Sequence, residues 1–381
     1  MAYHDIDGSR RQLLKATGGA LAAGGLTGLA SAGATDETVQ VNVGFSNTRG
    51  KQAAEAAAKS IVWEFAFDAM TIEVATAAVD GLQEAAGIRY VEPDEEMEVL
   101  AQTEPWGIDR VDAEVAHANG ETGDGADIAI IDTGIDRGHP DLADNLGEGV
   151  SFQGGIQTNQ WNDDNGHGTH CAGIADAVDN SQGVVGVSTN ATLHAVKVMN
   201  AAGTGSTSDI AKGIEWTADQ GYDVGSLSLG SSSGSETLKD AVSYAADHGV
   251  FLSAAAGNDG ECSDCVGYPA AYPECVAVSS TNQNDELSSF SSQGPEVEIA
   301  APGSDIYSTY LAGSYNTLSG TSMACPHVSG AAAQLMANGQ TASEARSTLK
   351  SSAEDIGLSA NESGAGLLDV AASLGLNSSD D

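Results

Sequence analysis

Three short stretches of the sequence carry the side chains that acyl transfer through a serine requires. Asp132 ends the apolar run DIAIID, His167 opens HGTHCAG, and Ser322 lies in SGTSMACPH. A serine hydroxyl is a poor nucleophile unless a neutral imidazole accepts its proton. The imidazole in turn needs a carboxylate that holds its tautomer and stabilises the imidazolium. Asp132, His167 and Ser322 are therefore the candidate catalytic residues.

Two further features indicate how an oxyanion could be stabilised. Ser322 stands at the start of a predicted helix, where main-chain N–H groups face a developing negative charge. Pro326 lacks the N–H that would bond the Ser322 carbonyl, so this turn differs from an ordinary turn of α-helix. The run AAAGNDG ends a predicted strand with Asn258, whose side-chain amide is the candidate second donor.

The elements that must position these residues alternate along the chain. Amphipathic helices that end at glycine are predicted for 208–221 and 235–249. The short apolar runs typical of a buried parallel sheet are DIAIID (127–132), TLHAVKVM (192–199), VGSLSL (224–229), VFLSAAAG (250–257) and CVAVSS (275–280). This alternation predicts one large α/β domain, a doubly wound parallel sheet with sites at the carboxyl ends of its strands.

Residues 36 to about 100 are predicted to form a separate small α+β unit. Alternation predicts strands at 38–45, 69–77 and 88–94, and helical spacing predicts helices at 51–61 and 77–87. The unit ends in the acidic stretch EPDEEMEVLAQTEP.

The first 32 residues have the parts of an export signal. Arg10, Arg11 and Lys15 precede a glycine-rich apolar run from Ala16 to Ala30, which ends in Ala-Ser-Ala. The paired arginines in SRRQLLK are the twin-arginine variant, which exports folded proteins. The alternative is a disordered basic tail. The run is too short and too polar for a membrane anchor, so we expect a soluble, secreted product.

The strongly negative charge of the chain limits which functions and which surroundings are expected for the protein. The chain has 54 acidic and 14 basic residues, a formal charge of −40, and the region from Ala101 onward keeps a net −32. Nucleic-acid binding requires a cationic surface, so it is not expected. Such self-repulsion destabilises a compact chain unless salt screens it, which predicts a protein that works in brine. The alternative is an ordinary acidic secreted protein.

The remaining cysteines and histidines have less specific interpretations. One disulfide is expected among Cys262, Cys265 and Cys275, with the pairing left open. Cys171 and Cys325 are interpreted as small buried packing residues. His139 is expected on the surface.

The motifs DTGID with HPDL, HGTHCAG, and GTSMACPH together resemble the subtilisin family of serine proteases, from about Ala101 to the end of the chain. The acidic excess, the twin-arginine signal and the cysteines beside two motifs resemble the haloarchaeal halolysins. The resemblance implies that Asp132 orients His167, His167 acts as base and then acid, Ser322 attacks, and Asn258 stabilises the oxyanion. His170 lies on the same helix face as His167 and is the alternative base, but the resemblance gives it a structural role.

The resemblance also implies substrate and metal residues. Two edge segments would hold an extended peptide, and the specificity pocket would be walled by 229–231, 255–257 and Gly267, with room for a large apolar side chain. The implied substrate residues are Gly203, Thr204, Gly205, Ser228, Leu229, Gly230 and Gly267. The implied calcium ligands, all oxygen donors, are Gln102, Asp141, Val178, Asn180, Gln182 and Val184. Gly225 and Ser226 depart from the family by being small, which puts the rigidity of one edge in doubt.

These inferences predict a secreted, monomeric, calcium-associated serine endopeptidase that acts on proteins and peptides. The predicted divisions are a signal (1–32), a ferredoxin-like propeptide that acts as chaperone and inhibitor (33–100), and a catalytic domain (101–381). Self-cleavage is expected between Leu100 and Ala101, because Leu100 suits the apolar pocket. The alternatives are a catalytically silent fold of the same family used for binding, and an acidic decoy that mimics nucleic acid.

Overall fold

The computed structural model describes residues 38–94, 102–260 and 262–377. Its internal contacts divide the chain into two compact units, Met1–Val99 and Leu100–Asp381. The predicted signal and the predicted cleavage point between Leu100 and Ala101 lie outside the described residues. Within the described ranges, no helix combines the length and apolarity needed to cross a membrane.

The first unit packs two helices against a four-stranded antiparallel sheet of order β2-β3-β1-β4. Its elements are β1 (Thr38–Phe45), α1 (Thr48–Ala57), β2 (Ala58–Phe65), β3 (Ala69–Ala75), α2 (Val79–Gln83) and β4 (Ile88–Pro93). The three predicted strands are confirmed. The helix predicted for 51–61 is wrong at its end, because residues from Ala58 onward pair with β3 and form the strand β2.

The second unit is built on an eight-stranded sheet of order β12-β11-β10-β9-β5-β8-β6-β7, in which only the β6–β7 pair is antiparallel. The strands are β5 (Asp127–Asp132), β6 (Val150–Gln153), β7 (Ile156–Thr158), β8 (Thr192–Lys197), β9 (Val224–Leu227), β10 (Phe251–Ala255), β11 (Cys275–Thr281) and β12 (Val297–Pro302). All five strands predicted here are present. A separate hairpin pairs β13 (Ile306–Tyr310) with β14 (Ser314–Leu318).

Helices cover both faces of this sheet. They are α3 (Trp106–Arg110), α4 (Ala113–Ala118), α5 (His167–Asp176), α6 (Thr207–Gln220), α7 (Glu236–Asp247), α8 (Thr321–Ala337), α9 (Ala342–Ser352), α10 (Ala360–Ser363) and α11 (Val370–Ser373). Along β5, Ile128 and Ile130 pack in the core formed with α5 and α8, while Ala129 and Ile131 pack in the core formed with α6 and α7. Because alternate residues point to opposite faces, one strand serves both layers, and the predicted doubly wound α/β class is confirmed.

The two small residues of β9 do not leave a gap in the sheet. A Cβ at Gly225 would lie 2.8 Å from Leu252 Cδ2, so the neighbouring strand fills that space. Ser226 is 1% exposed, and its hydroxyl lies 3.9 Å from Cys325 Sγ. Both small residues are therefore closely surrounded by neighbouring side chains.

Candidate functional site

Asp132 and His167 form a close pair at the carboxyl end of β5, in which Asp132 is buried and the His167 side chain is 27% exposed. His167 Nδ1 lies 2.9 Å from Asp132 Oδ1 and 3.0 Å from Oδ2. The Asp132 carboxylate is 1% exposed, and Oδ1 also accepts a hydrogen bond from Thr133 N at 2.7 Å. The carboxylate therefore fixes the ring orientation and leaves Nε2 to exchange a proton with a reacting group.

The start of α5 is shaped to bring His167 to the strand end. Asp163, which the sequence analysis did not single out, accepts hydrogen bonds from the N–H groups of Asn165, Gly166 and Thr169 at 2.9 to 3.0 Å. This side chain satisfies donors that a helix N-terminus leaves free. Gly168 is required by the close approach, because a Cβ there would lie 2.3 Å from the main-chain oxygen of Gly134.

The electrostatics of the site favour the imidazolium. Burial alone would lower the pKa of His167, but the Asp132 carboxylate outweighs it and raises the pKa well above its ordinary value. His170 differs: burial lowers its pKa to about 4, and its Nε2 faces the carbonyls of Ile306 and Asn316. The His170 ring therefore stays neutral, and its hydrogen bonds go to main-chain carbonyls. This environment indicates a structural role for His170 and not the role of a base.

Ser322 is the second residue of α8 and is partly exposed. Its hydroxyl donates to the main-chain oxygen of Ser228 at 3.2 Å, and within the described residues no hydrogen bond joins it to His167. Cys171 lies between the two, with Sγ 3.4 Å from Ser322 O and 4.0 Å from His167 Nδ1. The structure thus brings Asp132, His167 and Ser322 to one place, with the serine hydroxyl turned toward Ser228.

Asn258 follows β10 and is exposed. Its Oδ1 accepts hydrogen bonds from Thr321 N at 2.9 Å and from Thr321 Oγ1 at 3.1 Å. This arrangement fixes the side-chain amide beside the N-terminus of α8 and leaves Nδ2 available as a donor. Thr321 was not singled out from the sequence, although it immediately precedes the candidate nucleophile.

The three walls expected for a specificity pocket lie together. Ser231 and Tyr268 exchange main-chain hydrogen bonds at 2.9 and 2.8 Å, and Gly267 N donates to Ala256 O at 2.8 Å. A Cβ at Gly267 would lie 3.2 Å from Ser231 O, so glycine keeps this space open. None of the wall residues 229–231, 255–257 and 267 carries a charge.

The expected edge segments both lie outside regular strands. Gly203, Thr204 and Gly205 are exposed in a turn that Asn200 closes by donating its N–H to Thr204 O at 3.0 Å. Asn165 Nδ2 donates to Ala201 O at 3.1 Å, which joins this turn to the loop before His167. On the other segment, Ser228 is buried, Leu229 is half-buried and Gly230 is exposed.

The residues expected to bind calcium form one connected cluster. Gln102 Nε2 donates to the carbonyls of Val178 and Val184 at 2.8 and 3.0 Å, and Gln102 Oε1 accepts from Asn180 N at 3.1 Å. Asp141, fully buried, accepts hydrogen bonds from Asn180 Nδ2 at 3.2 Å and Val184 N at 2.9 Å. Gln182 joins through its N–H, which donates to Asn180 Oδ1 at 2.7 Å.

The structure corrects or refines three minor expectations. His139 is fully buried, and its Nε2 lies 2.9 Å from Ser314 O, so the expectation of a surface position is wrong. Cys262 pairs with Cys265, and Cys275 is a buried free thiol. Cys171 and Cys325 are buried as expected, but Cys171 also makes the polar contacts described above.

Comparison with known proteins identifies the family. Residues 123–367 match the family described as the subtilase family. The chain is 46% identical to the alkaline protease of Alkalihalobacillus alcalophilus over 305 residues, which cover 80% of this chain and 78% of that relative. It is 47% identical to subtilisin Savinase of Lederbergia lenta over 274 residues, which cover 71% of this chain and 99% of that relative.

The family match spans the strand of Asp132, the helix of His167 and the helix of Ser322. The matches do not favour the silent-fold or decoy alternatives, because the relatives are named as proteases and subtilisins. The resemblance read from the motifs is confirmed: the chain belongs to the subtilase family and is a serine endopeptidase.

Proposed function

We propose that Ser322 is the nucleophile of this peptidase, His167 its general base and acid, and Asp132 the residue that orients His167. The observation that supports the assignment best is the contact between His167 Nδ1 and the buried Asp132 carboxylate at 2.9 Å, with Ser322 at the adjacent helix N-terminus. When Ser322 Oγ turns from Ser228 O toward His167 Nε2, it can transfer its proton while it attacks the substrate carbonyl. His167 then protonates the leaving amine, and water hydrolyses the acyl-enzyme by the reverse sequence.

The negative charge that forms on the substrate oxygen needs donors. We assign this role to Asn258 Nδ2 and to the main-chain N–H of Ser322. The contact of Thr321 with Asn258 Oδ1 supports the assignment, since it fixes the amide before the reaction begins. Preorganised donors of this kind lower the barrier because they do not reorganise when the charge develops.

We further propose that an extended substrate lies between the segments Gly203–Thr204–Gly205 and Ser228–Leu229–Gly230. Main-chain pairing on both sides tolerates many sequences, so specificity would come mainly from the pocket at Gly267. The uncharged walls of that pocket favour a large apolar residue before the cut.

Calcium fits the cluster around Asp141. The donor set is oxygen-rich, and the buried Asp141 carboxylate is held by neutral donors. To serve as ligands beside the carbonyls of Val178 and Val184, the amides of Gln102 and Asn180 would turn their oxygens toward the ion and give up the hydrogen bonds that their NH₂ groups donate here. The ligands would be Gln102, Asp141, Val178, Asn180, Gln182 and Val184. The ion would stabilise this loop against unfolding and would take no part in the chemistry.

The proposal also covers the salt concentration in which the protein works and the route by which it is exported. The net −32 after Ala101 supports function in concentrated salt, and the SRRQLLK signal supports twin-arginine export of a folded protein. Together with the cysteines beside the motifs, these features favour a halolysin-like, secreted protease. We expect it to act as a monomer without a membrane anchor.

The first unit is proposed to be a ferredoxin-like propeptide that inhibits the enzyme. Its β-α-β-β-α-β order and its sheet order support the fold. Its hairpin exposes large apolar side chains, with Trp63 at 67% and Phe67 at 64% exposure, which is typical of a surface that binds another protein surface. Self-cleavage after Leu100 would then release the mature enzyme.

The proposal is tested by comparing wild-type protein with Ser322→Ala in concentrated salt with calcium. The variant should cleave casein about 10⁶-fold more slowly, a magnitude measured for this family's triad. It should also retain residues before Ala101, whereas N-terminal sequencing of the wild type should begin within about two residues of Ala101. Processing of Ser322→Ala expressed alone would assign the cut to another protease, and casein cleavage at the wild-type rate would reject the nucleophile.

A further inference from the structure

The main-chain oxygen of Ser322 has two side-chain donors from outside its own helix. In α8, the residue four positions later would normally donate its N–H to this oxygen, but that residue is Pro326, which has none. Ser228 Oγ donates to the oxygen at 2.8 Å and Cys171 Sγ at 3.4 Å. Ser228 is 4% exposed and Cys171 is fully buried, so water does not readily replace either donor.

Cys171 also connects the two helices that carry the candidate base and nucleophile. It stands four residues after His167, one turn along α5, and its Sγ lies 4.0 Å from His167 Nδ1. Burial raises the pKa of the Cys171 thiol, which keeps it protonated and able to donate. Cys325, by contrast, contacts Ser253 Oγ at 3.5 Å and does not reach the Ser322 carbonyl.

We propose that Cys171 and Ser228 are positioning residues, whose side chains hold the main chain of Ser322 in the orientation needed for attack. The inference rests on the proposed role of Ser322 as the nucleophile. A carbonyl that loses its donors among buried side chains is left without a hydrogen bond and relaxes by moving toward another donor. Such a movement would displace the attached Cβ and hydroxyl, and small misplacements of a reacting group are costly in rate.

The test uses four variants: Cys171→Ala, Ser228→Ala, the double variant of these two, and Cys171→Ser. The matched control is Cys275→Ala, because Cys275 is also a buried free thiol and lies in β11. Active sites are titrated with a fluorophosphonate, so that kcat for a peptide anilide is expressed per labelled Ser322. Each alanine variant should lose about 10-fold in kcat, because the loss of one hydrogen bond raises the activation free energy by an amount that corresponds to about that factor in rate. KM should change less than about twofold. The double variant should lose more than the product of the two single losses, because the carbonyl then has neither donor.

Cys171→Ser keeps a hydroxyl donor and should recover part of the loss, whereas Cys275→Ala should match the wild type per labelled site. A double variant with wild-type kcat per labelled site would overturn the proposal, as would variants in which KM changes and kcat does not. Failure of the wild type to label at Ser322 would instead reject the underlying assignment of the nucleophile. The two failures are therefore distinguishable.

Discussion

Thr321 holds Asn258 by both of its polar groups: its N–H and its hydroxyl donate to Asn258 Oδ1 at 2.9 and 3.1 Å. Because the oxygen of the amide is occupied in this way, the NH₂ is the group left to face a substrate. The residue immediately before the candidate nucleophile thus sets the orientation of the candidate oxyanion donor.

Asn258→Ala should therefore reduce kcat by about 10² to 10³, the range measured for loss of the equivalent kind of donor, with little change in KM. Circular dichroism should show an intact fold, since the side chain is exposed. Asn338→Ala, at an exposed asparagine after α8, is the control and should leave kcat within about twofold. An unchanged rate in Asn258→Ala would mean that another group stabilises the oxyanion.

Asp132→Asn should lower kcat by about 10⁴, as found for other serine proteases of this type. It should also shift the pH profile. His167 must be neutral to accept a proton, so kcat/KM rises as the pH passes upward through its pKa, which Asp132 raises. Without that carboxylate the pKa falls, and the acidic limb of the profile should move to lower pH.

Asp127→Asn is a matched control for this experiment, because Asp127 makes a second Asp–His contact, 2.8 Å from His194 Nε2, at the opposite end of β5. Its activity should stay within a few-fold of the wild type, with the acidic limb in place. An acidic limb that stays at the wild-type pH in Asp132→Asn would show that His167 does not set it.

Calcium should raise the melting temperature of the Ser322→Ala protein, which cannot digest itself, because a ligand that binds only the folded state stabilises it. Asp141→Asn in that background should lose most of this shift, since it removes the buried ligand charge. Asp144→Asn, at an exposed carboxylate three residues away, should keep it. Equal calcium shifts in the two variants would place the ion elsewhere.

Dialysis into low salt at constant calcium should unfold the mature enzyme. Its carboxylates are screened over about 3 Å in 1 M salt but over about 30 Å in 0.01 M, so repulsion grows as salt is removed. Activity and far-UV circular dichroism, followed over hours in potassium chloride and in sodium chloride, report the loss. A protein that retains full activity for hours in dilute buffer would contradict the proposed adaptation to brine.

The buried strands were predictable because each is a short apolar run, as in DIAIID, whose residues serve two cores at once. The strand β2 was not, because its first residues continue the alanine-rich spacing of α1, and only pairing with β3 decides their structure. Tertiary contact overrode a local preference at that point.

The candidate triad residues, likewise, could be proposed from their motifs, whereas the surroundings of several histidines and cysteines could not. The burial of His139 depends on the distant β13–β14 hairpin, whose Ser314 carbonyl it contacts. The proposed role of Cys171 rests on its contact with a carbonyl 151 residues along the chain. Pro326 was the available signal, since a proline four residues after the candidate nucleophile leaves a carbonyl that needs another donor.

The central claim is that Ser322 is the nucleophile activated by the Asp132–His167 pair. Its most direct measurement is reaction with a fluorophosphonate, followed by peptide mapping by mass spectrometry, for the wild type and for Ser322→Ala. We predict one label per molecule on the peptide that contains Ser322, loss of activity in proportion to labelling, and no label on the variant. A label on another residue, or a wild-type enzyme that cleaves casein after Ser322 is fully labelled, would contradict the account.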